Sequence, residues 1–243
     1  MPTVVELTDP YVVTYTPVPR VRPGVCDVCH GAPGAGFTTC WSCSVTTSQV
    51  SRPIRTVVPI SLYELNSQMH HVLRKYKDGR YPATRLLFRQ QIAALLTRFL
   101  QVHGDCIRDI VGSWDVVTSI PSSAGRAGPH PLDTAIRLSN YLRPQYEALL
   151  GAGEAALDHR RANDLGYVVI EDVTDLDVLL VDDTFTTGAR IQSAASALSR
   201  AGANVAAAVP IGRVITPGFS EESKGLWDGA RAIEYDFDVC CLE

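Results

Sequence analysis

The chain has 243 residues, 46% of them hydrophobic and 20% charged, which is the composition of a globular protein with one main core and excludes wholesale disorder. The formal charge of -4 argues against a surface built mainly to neutralise nucleic-acid phosphates, while leaving room for a local basic patch. A basic start with an apolar run is absent, and so is any stretch of about 20 apolar residues. These features predict a cytoplasmic protein without a membrane segment.

The first third of the chain divides into two segments before the main domain begins. Residues 1–24 carry five prolines and alternate Val, Tyr and Thr without helical spacing, which predicts an extended arm with one edge strand. Residues 25–55 contain paired cysteines but few bulky apolar side chains, so this module needs a stabiliser other than a hydrophobic core. Residues 56–243 are then expected to form the main domain.

Two helices are expected at the start of the main domain. Apolar residues at three- and four-residue steps predict a helix with Ser61 as its N-cap and Gly79 as its stop; they are Leu62, Leu65, Met69, Val72, Leu73 and Tyr76. A second helix is predicted from about residue 84 to 102, with Gly104 beyond it.

Farther along, short apolar runs alternate with helical segments. The predicted elements are a strand at 116–120, a helix at 132–142, strands at 167–170 and 178–181, a helix at 189–201 and a strand at 205–210. Such alternation predicts an α/β fold with a mostly parallel sheet and helices on both faces. The stretch 143–166 shows little periodicity and is expected to be a mobile loop.

Four of the seven cysteines are grouped in two pairs, Cys26-x2-Cys29 and Cys40-x2-Cys43. Four thiolates fill the tetrahedral coordination sphere of zinc and leave no open position, so the pattern predicts a structural zinc site. Redox pairs and separate thiols are the alternatives. Cys240 and Cys241 are interpreted as buried apolar residues of a terminal strand.

The chemistry of the main domain is expected after the apolar run Val178–Val181. Asp182 and Asp183 follow this predicted strand at the end where open α/β sheets bind ligands, and two adjacent carboxylates there can accept hydrogen bonds from a vicinal diol such as that of ribose. The next residues turn into a helix, whose backbone N–H groups and hydroxyls suit a phosphate. These phosphate-binding candidates are Thr184, Thr186, Thr187, Gly188, Ala189 and Arg190. The alternative is a solvated turn before an ordinary helix.

The run VLLVDDTFTTGAR, residues 178–190, resembles the phosphoribosyl pyrophosphate signature of type I phosphoribosyltransferases. The resemblance implies that Asp182 and Asp183 contact the ribose hydroxyls during catalysis and that residues 184–190 bind the 5-phosphate. Arg190 stands where the family commonly has a hydroxyl residue, so its guanidinium either contacts phosphate or points away.

A second loop, IPSSAGR, follows the predicted strand at 116–120. Its small residues and backbone donors suit a diphosphate, and by resemblance it is the pyrophosphate loop, with Ser122, Ser123 and Arg126 as candidates. An ordinary small-residue turn is the alternative.

Charged residues on other segments are also candidates for the diphosphate. The basic cluster Arg74, Lys75 and Lys77 could add positive charge near the site, although complementing a helix dipole is the simpler interpretation. Arg160 and Arg161 could close over the leaving pyrophosphate.

The order of these motifs resembles that of ComF-type competence proteins: a four-cysteine module, LRKYKDGR, IPSSAGRAG, DHRRAND and then the signature, spanning about residues 25–215. The resemblance implies a zinc-binding module followed by a phosphoribosyltransferase-like domain, often linked to DNA uptake. Residues from about 211 to 243, including Trp227, Tyr235 and Phe237, are considered either as a hood over the acceptor or as core. The run 126–132 departs from the family's usual sequence.

Taken together, these patterns predict a phosphoribosyltransferase that binds phosphoribosyl pyrophosphate with Mg²⁺ and transfers the 5-phosphoribosyl group to a nucleobase or another nitrogen nucleophile. The alternative is a noncatalytic protein that binds this compound or a nucleotide, or that serves DNA uptake with single-stranded DNA or competence-machinery proteins as partners. Dimers are common among the resembling proteins, so a homodimer is also considered.

Overall fold

A computed structural model describes residues 2–122, 129–158 and 160–242. Its centre is a four-stranded parallel sheet with the strand order β1-β6-β5-β2. The strands are β1 (Ser61–Glu64), β2 (Val116–Ser119), β5 (Asp177–Phe185) and β6 (Asn204–Ile215). A separate antiparallel pair consists of β3 (Leu150–Ala152) and β4 (Tyr167–Val169).

Seven α-helices surround the sheet in the described part of the chain. They are α1 (Val4–Thr8), α2 (Trp41–Ser48), α3 (Gln68–Asp78), α4 (Pro82–Val111), α5 (Pro131–Leu138), α6 (Ala189–Arg200) and α7 (Glu221–Arg231). Within the described residues, no helix is both long enough and apolar enough to cross a bilayer.

Strand β5 is buried on both faces, which places helices on both sides of the sheet. Leu179 and Val181 face the core built with α3, α4 and α5, whereas Val178 and Leu180 face the core built with α6 and the cysteine module. Alternate side chains of a strand point to opposite faces, so a continuous apolar run is what this central position requires. The predicted mixed α/β fold with a mostly parallel sheet flanked by helices is confirmed, together with an N-terminal four-cysteine cluster.

The helix predicted from Ser61 begins later, because residues 61–64 form β1 and pair with β6. Ser67 is the actual N-cap: its side chain accepts a hydrogen bond from the His70 N–H. Leu65, which contributed to the helical pattern, is 52% exposed, so its place in that pattern was fortuitous. A four-residue strand is too short to show its own period against a following helix.

Helix α4 is longer than predicted and continues to Val111, past Gly104. Its C-cap is Gly112, whose φ of 82° lies in the left-handed region. Gly104 is tolerated inside the helix because His103 and Ile107 beside it are buried, and this packing offsets the modest intrinsic cost of glycine.

The N-terminal segment is helical where an extended arm was predicted. Thr3 and Glu6 form a reciprocal capping box at the start of α1, and a 3₁₀ helix follows over Asp9–Thr14. The Thr-x-x-Glu spacing is the signal that the prolines obscured. Beyond the 3₁₀ helix, Thr16 makes an antiparallel bridge to Leu62 at the edge of the sheet.

The stretch predicted as a loop at 143–166 contains β3, and the strand predicted at 167–170 pairs with β3 rather than joining the parallel sheet. No helix separates β3 from β4 in the described residues, and an antiparallel return needs none. The segment just before β4 is anchored to α6, because the Asn163 N–H donates to Ser193 Oγ (2.9 Å) and Ser196 Oγ donates to Asp164 Oδ1 (2.5 Å).

The C-terminal aromatic residues pack against the hydrophobic core clusters. Trp227 of α7 packs with Leu62 and Ile215, while Tyr235 and Phe237 make edge contacts with each other and with Tyr15. Core packing accounts for these three side chains, whereas a hood over an acceptor stays a prediction.

Candidate functional site

The acidic pair lies at the carboxyl end of β5, in the interior of the sheet. Asp182 and Asp183 are 1% and 0% exposed, and the Asp183 N–H donates to Asp182 Oδ1 (2.9 Å). Asp182 Oδ2 and Asp183 Oδ1 have no hydrogen-bond partner among the described residues. A buried carboxylate oxygen without a donor is costly, so both oxygens suit a ligand that brings hydroxyl groups.

The other oxygen of Asp183 is held by the last turn of α3. The Tyr76 hydroxyl donates to Asp183 Oδ2 (2.5 Å), and Lys77 forms an ion pair with the same oxygen. Burial would raise the pKa of Asp183, but the charges of Lys77 and Arg190 and the hydrogen bonds from Lys77 and Tyr76 outweigh it and lower the pKa. Asp183 is therefore ionised at neutral pH.

The pKa of Asp182 moves in the opposite direction. Burial raises it, Arg190 opposes that rise, and the negative charge of Asp183 adds to it. Two adjacent carboxyl groups thus share one site but differ in charge preference, because Lys77 pairs with only one of them.

Arg190, in the first turn of α6, bridges three parts of the site. Its Nη2 donates to the Pro121 carbonyl oxygen (2.9 Å) after β2, and its Nε donates to the Tyr167 hydroxyl (3.2 Å) of β4. The charge of Asp182 is the main cause of its raised pKa. Arg190 therefore faces the acidic pair and the loop after β2 rather than turning away from the site.

The turn after β5 presents the N-terminus of α6 beside the acidic pair. Gly188 is the N-cap, with a φ of 87° that favours glycine. Thr186 is exposed, Thr184 and Thr187 are half-buried, and the Ala189 N–H points to Thr187 Oγ1 at 3.4 Å. Backbone N–H groups at such a helix start, with hydroxyls around them, form a site for an anion.

This turn is braced by the cysteine module. A Cβ at Gly188 would lie 2.7 Å from Phe185 Cζ, and Thr46 Oγ1 of α2 is directed at the Thr187 carbonyl oxygen (3.4 Å). The guanidinium of Arg213 lies 5.0 Å from the centre of the Phe185 ring. The position of the turn thus depends on packing against residues distant in sequence.

Arg213, near the end of β6, also contacts the cysteine cluster. Its Nη2 donates to Cys29 Sγ (3.5 Å), and a Cβ at Gly31 would lie 2.5 Å from that same nitrogen, so the guanidinium needs a glycine there. Arg213 is 8% exposed. A buried cation beside four sulfurs that would become thiolates on binding a metal is electrostatically favourable, and it links the cluster to Phe185.

The four predicted ligands form one buried cluster. The sulfur atoms of Cys26, Cys29, Cys40 and Cys43 all lie within 4.8 Å of one another. Cys29 and Cys40 are 3.7 Å apart, and the Cys40 N–H donates to Cys26 Sγ (3.2 Å). This donor set can bind a structural metal such as zinc, because four sulfurs can surround the ion and leave no open position.

The second predicted loop is described only at its edges. Ser123 and Arg126 lie outside the described residues, whereas half-buried Ser122 is included. At the end of β2, Ser119 Oγ donates to Asp133 Oδ1 and lies 3.0 Å from the Tyr146 hydroxyl.

His130, which belongs to no motif recognised in the sequence, lies near the acidic pair. Its side chain caps α5 by accepting from the Leu132 N–H (3.4 Å). Burial lowers its pKa to about 4, and Asp183 and Lys77 are among the charges that act on it.

Arg160 and Arg161 are exposed, and their backbone N–H groups donate to Asp158 Oδ1.

The functional residues that sequence reasoning missed come mostly from α3. Lys77 was interpreted chiefly as a complement to a helix dipole, and Tyr76 only as an apolar position. The available signal was the sequence Lys75-Tyr76-Lys77 at a helix end, where a buried phenol beside a lysine suits an acidic partner.

Comparison with known proteins adds no assignment to this geometry. A scan against protein-family models and a search of curated proteins found no match to the chain.

Proposed function

We propose that the protein binds phosphoribosyl pyrophosphate at the carboxyl end of β5, in a domain of the type I phosphoribosyltransferase kind. The observation that carries this proposal is the pair of unpartnered buried oxygens, Asp182 Oδ2 and Asp183 Oδ1, placed just before a helix N-terminus. A vicinal diol and a phosphate on one sugar match these two features. Burial of the pair makes solvent a poor substitute for such a ligand.

Each part of the site has a distinct role in this proposal. Asp182 and Asp183 accept hydrogen bonds from the ribose hydroxyls, with Asp183 held in place by Tyr76 and Lys77. Thr184 and the turn from Thr186 to Arg190 bind the 5-phosphate through backbone N–H groups and hydroxyls. Gly188 permits the left-handed backbone that starts α6 at this turn.

The pyrophosphate group is assigned to the segment after β2. Ser122, Ser123 and Arg126 are the predicted contacts in this segment, and Arg190 adds positive charge from α6, where it touches the Pro121 carbonyl oxygen. Mg²⁺ bound with the substrate would neutralise part of the diphosphate charge. The chain's own cations, Lys77 and Arg190, reduce the repulsion between the acidic pair and an anionic substrate.

The reaction that fits this arrangement is transfer of the phosphoribosyl group to a nitrogen nucleophile, for example a nucleobase. The bond between C1 of the ribose and pyrophosphate breaks, and its electron pair leaves with pyrophosphate. The acceptor nitrogen supplies a lone pair to C1 and releases a proton. The acidic pair orients the ring and stabilises the positive charge that develops on it.

Zinc in the cysteine cluster would have a structural role in this scheme. The four sulfurs leave no position for a substrate, and Arg213 connects Cys29 to Phe185 at the start of the phosphate turn. The metal would thereby help to fix the turn without contacting the substrate.

The proposal is tested by isothermal titration of the zinc-loaded protein with phosphoribosyl pyrophosphate and Mg²⁺. Binding is expected for the wild type and for Asp109→Asn, an exposed change on α4, and is expected to fall at least about 100-fold in an Asp182→Asn/Asp183→Asn double variant. Thermal melts establish that each variant is folded. A folded wild type that shows no heat of binding rules the proposal out.

Turnover is measured separately, as pyrophosphate released in the presence of a panel of nucleobases. Release that depends on an acceptor supports the transferase. Binding without release identifies a noncatalytic protein that senses the compound, and salt-sensitive binding of single-stranded DNA identifies the DNA-uptake alternative.

A further inference from the structure

A second group of metal-ligating side chains lies away from both sites described above. His103 and Cys106 are three residues apart and therefore on one face of α4, and Cys240 approaches them from the C-terminal segment. The ligand atoms of the three residues lie within 4.8 Å of one another. His103 and Cys240 are buried, and Cys106 is half-buried.

The orientation of His103 is the feature that singles this group out. Its Nε2 lies 2.7 Å from the Phe237 carbonyl oxygen, which can only accept, so Nε2 carries the proton. The lone pair of the neutral ring is then on Nδ1, which lies 3.6 Å from Cys106 Sγ. Metal-binding histidines are commonly oriented in this way, with one ring nitrogen donating to a carbonyl and the other directed at the ion.

The spacing also suits a common ion. With Zn–S bonds of about 2.3 Å and Zn–N bonds of about 2.0 Å, a tetrahedral centre holds a nitrogen and a sulfur roughly 3.5 Å apart. The distance between His103 Nδ1 and Cys106 Sγ is 3.6 Å. A His-Cys-Cys donor set favours thiophilic ions such as zinc over Mg²⁺ or Ca²⁺.

We propose that His103, Cys106 and Cys240 form a second zinc site, which fastens the C-terminal segment to α4. Binding releases the protons of the two thiols, and the resulting centre of one Zn²⁺, two thiolates and a neutral imidazole has no net charge. A neutral centre is compatible with the buried setting, where an uncompensated charge would be costly. Because Cys106 is only half-buried, solvent can supply water as the fourth ligand.

This site changes the interpretation of the last residues. Cys240 and Cys241 were expected in a terminal strand, but Cys240 lies in irregular chain and Cys241 in the turn that follows, both buried against the main core. Within the metal site only Cys240 takes part, so its neighbour Cys241 is a matched control: it has the same chemistry and 3% exposure but lies outside the ligand group.

The experiment measures zinc per chain by elemental analysis after purification with zinc and gel filtration. The Cys240→Ser and Cys106→Ala variants are each expected to hold about one zinc fewer than the wild type, whereas Cys241→Ser keeps the wild-type content. The difference between variants does not depend on how much zinc the four-cysteine cluster holds, nor on the proposed transferase function. Circular dichroism and thermal melts verify folding, and half-exposed Cys106 offers a mild change if Cys240→Ser fails to fold.

A spectroscopic readout complements the count. Cobalt substituted at this site would produce thiolate charge-transfer bands that weaken in Cys106→Ala but persist in Cys241→Ser. Equal zinc content in the wild type and in folded Cys106→Ala and Cys240→Ser would overturn the proposal. So would a mass lower by two hydrogens with Cys106 joined to Cys240, which would identify a disulfide in place of the metal site.

Discussion

The four-cysteine cluster and the acidic site are joined through Arg213 and Phe185, but they are assembled in different ways. All four cysteines come from one short segment, residues 26–43, and metal binding would replace the apolar core that this segment lacks. The acidic site takes its groups from α3, β5, α6 and the start of α5, which are brought together by the hydrophobic packing of the sheet. A local site is specified by spacing, whereas a convergent site depends on the whole core.

The largest effect is expected from breaking the local site. Cys29→Ser removes both a candidate metal ligand and the partner of Arg213. It should destabilise the module by on the order of 5 kcal/mol or more, because binding of a structural metal is coupled to folding. The measurement is limited proteolysis of residues 25–55 together with zinc content.

The control for this change is Ser44→Ala, which is exposed on α2 and should leave both readouts unchanged. If Cys29→Ser retained its zinc and its protease resistance, the cluster would not be the stabiliser of the module.

A second change tests whether the phosphate turn requires a glycine. Gly188→Ala combines a left-handed φ with a Cβ only 2.7 Å from Phe185 Cζ, and should lower the free energy of unfolding by about 3 kcal/mol. Gly24→Ala is matched in φ, 86° against 87°, in the turn closed by the Val25 N–H and the Arg22 carbonyl oxygen, but meets nothing within 4 Å, so about 1 kcal/mol is expected from it. Chemical denaturation measures both, and equal losses would show that the Phe185 contact is unimportant.

The same contrast between local and convergent sites explains what could be predicted from the sequence. The cysteine spacing and the run VLLVDD are contiguous, so their placement in a cluster and at the end of a central strand follows from short-range patterns. Tyr76, Lys77 and His130 join the acidic pair only through tertiary packing, and no local pattern specifies which helix end will face it.

Local reasoning also failed where two signals competed. At Ser61–Glu64, four strand residues preceded a helix whose apolar steps continued backward through Leu62 and Leu65. In the N-terminal segment, the prolines concealed the capping box of Thr3 and Glu6. Ser61–Glu64 become a strand because they pair with β6, and this pairing cannot be recognised from the sequence of either strand alone.

The bridge between the two regions gives a third prediction. Arg213→Met removes the guanidinium from both Cys29 Sγ and the Phe185 ring, and should weaken zinc binding about 10- to 100-fold, as is typical for partners that support metal ligands. Arg213→Lys keeps the charge without the planar fork, so its zinc affinity should lie between those of the wild type and Arg213→Met. Competition with a chelator gives the affinities. Arg55→Met, an exposed change at the end of the module, is the control. An unaltered zinc affinity in Arg213→Met would show that Arg213 does not couple the four-cysteine cluster to the acidic site.

The smallest effect concerns the acidic site alone and depends on pH. His130 is buried, its pKa is lowered to about 4, and it is influenced by Asp183, Lys77, Asp133 and Arg190. Since the unfolded chain binds a proton near pH 6.5 and the folded chain does not, the free energy of unfolding should fall as the pH drops from about 6.5 to about 4. By about pH 5.5 this group should account for about 1 kcal/mol of the loss.

His130→Asn isolates that contribution, because asparagine can still cap α5 but does not titrate. The difference in free energy of unfolding between wild type and variant should change by about 1 kcal/mol between about pH 7.5 and 5.5. The contributions of the acidic pair are present in both proteins and largely cancel in this difference. Denaturant melts at both pH values measure it. A difference that stays constant would mean that His130 titrates alike in the folded and unfolded chain, and therefore that burial does not lower its pKa.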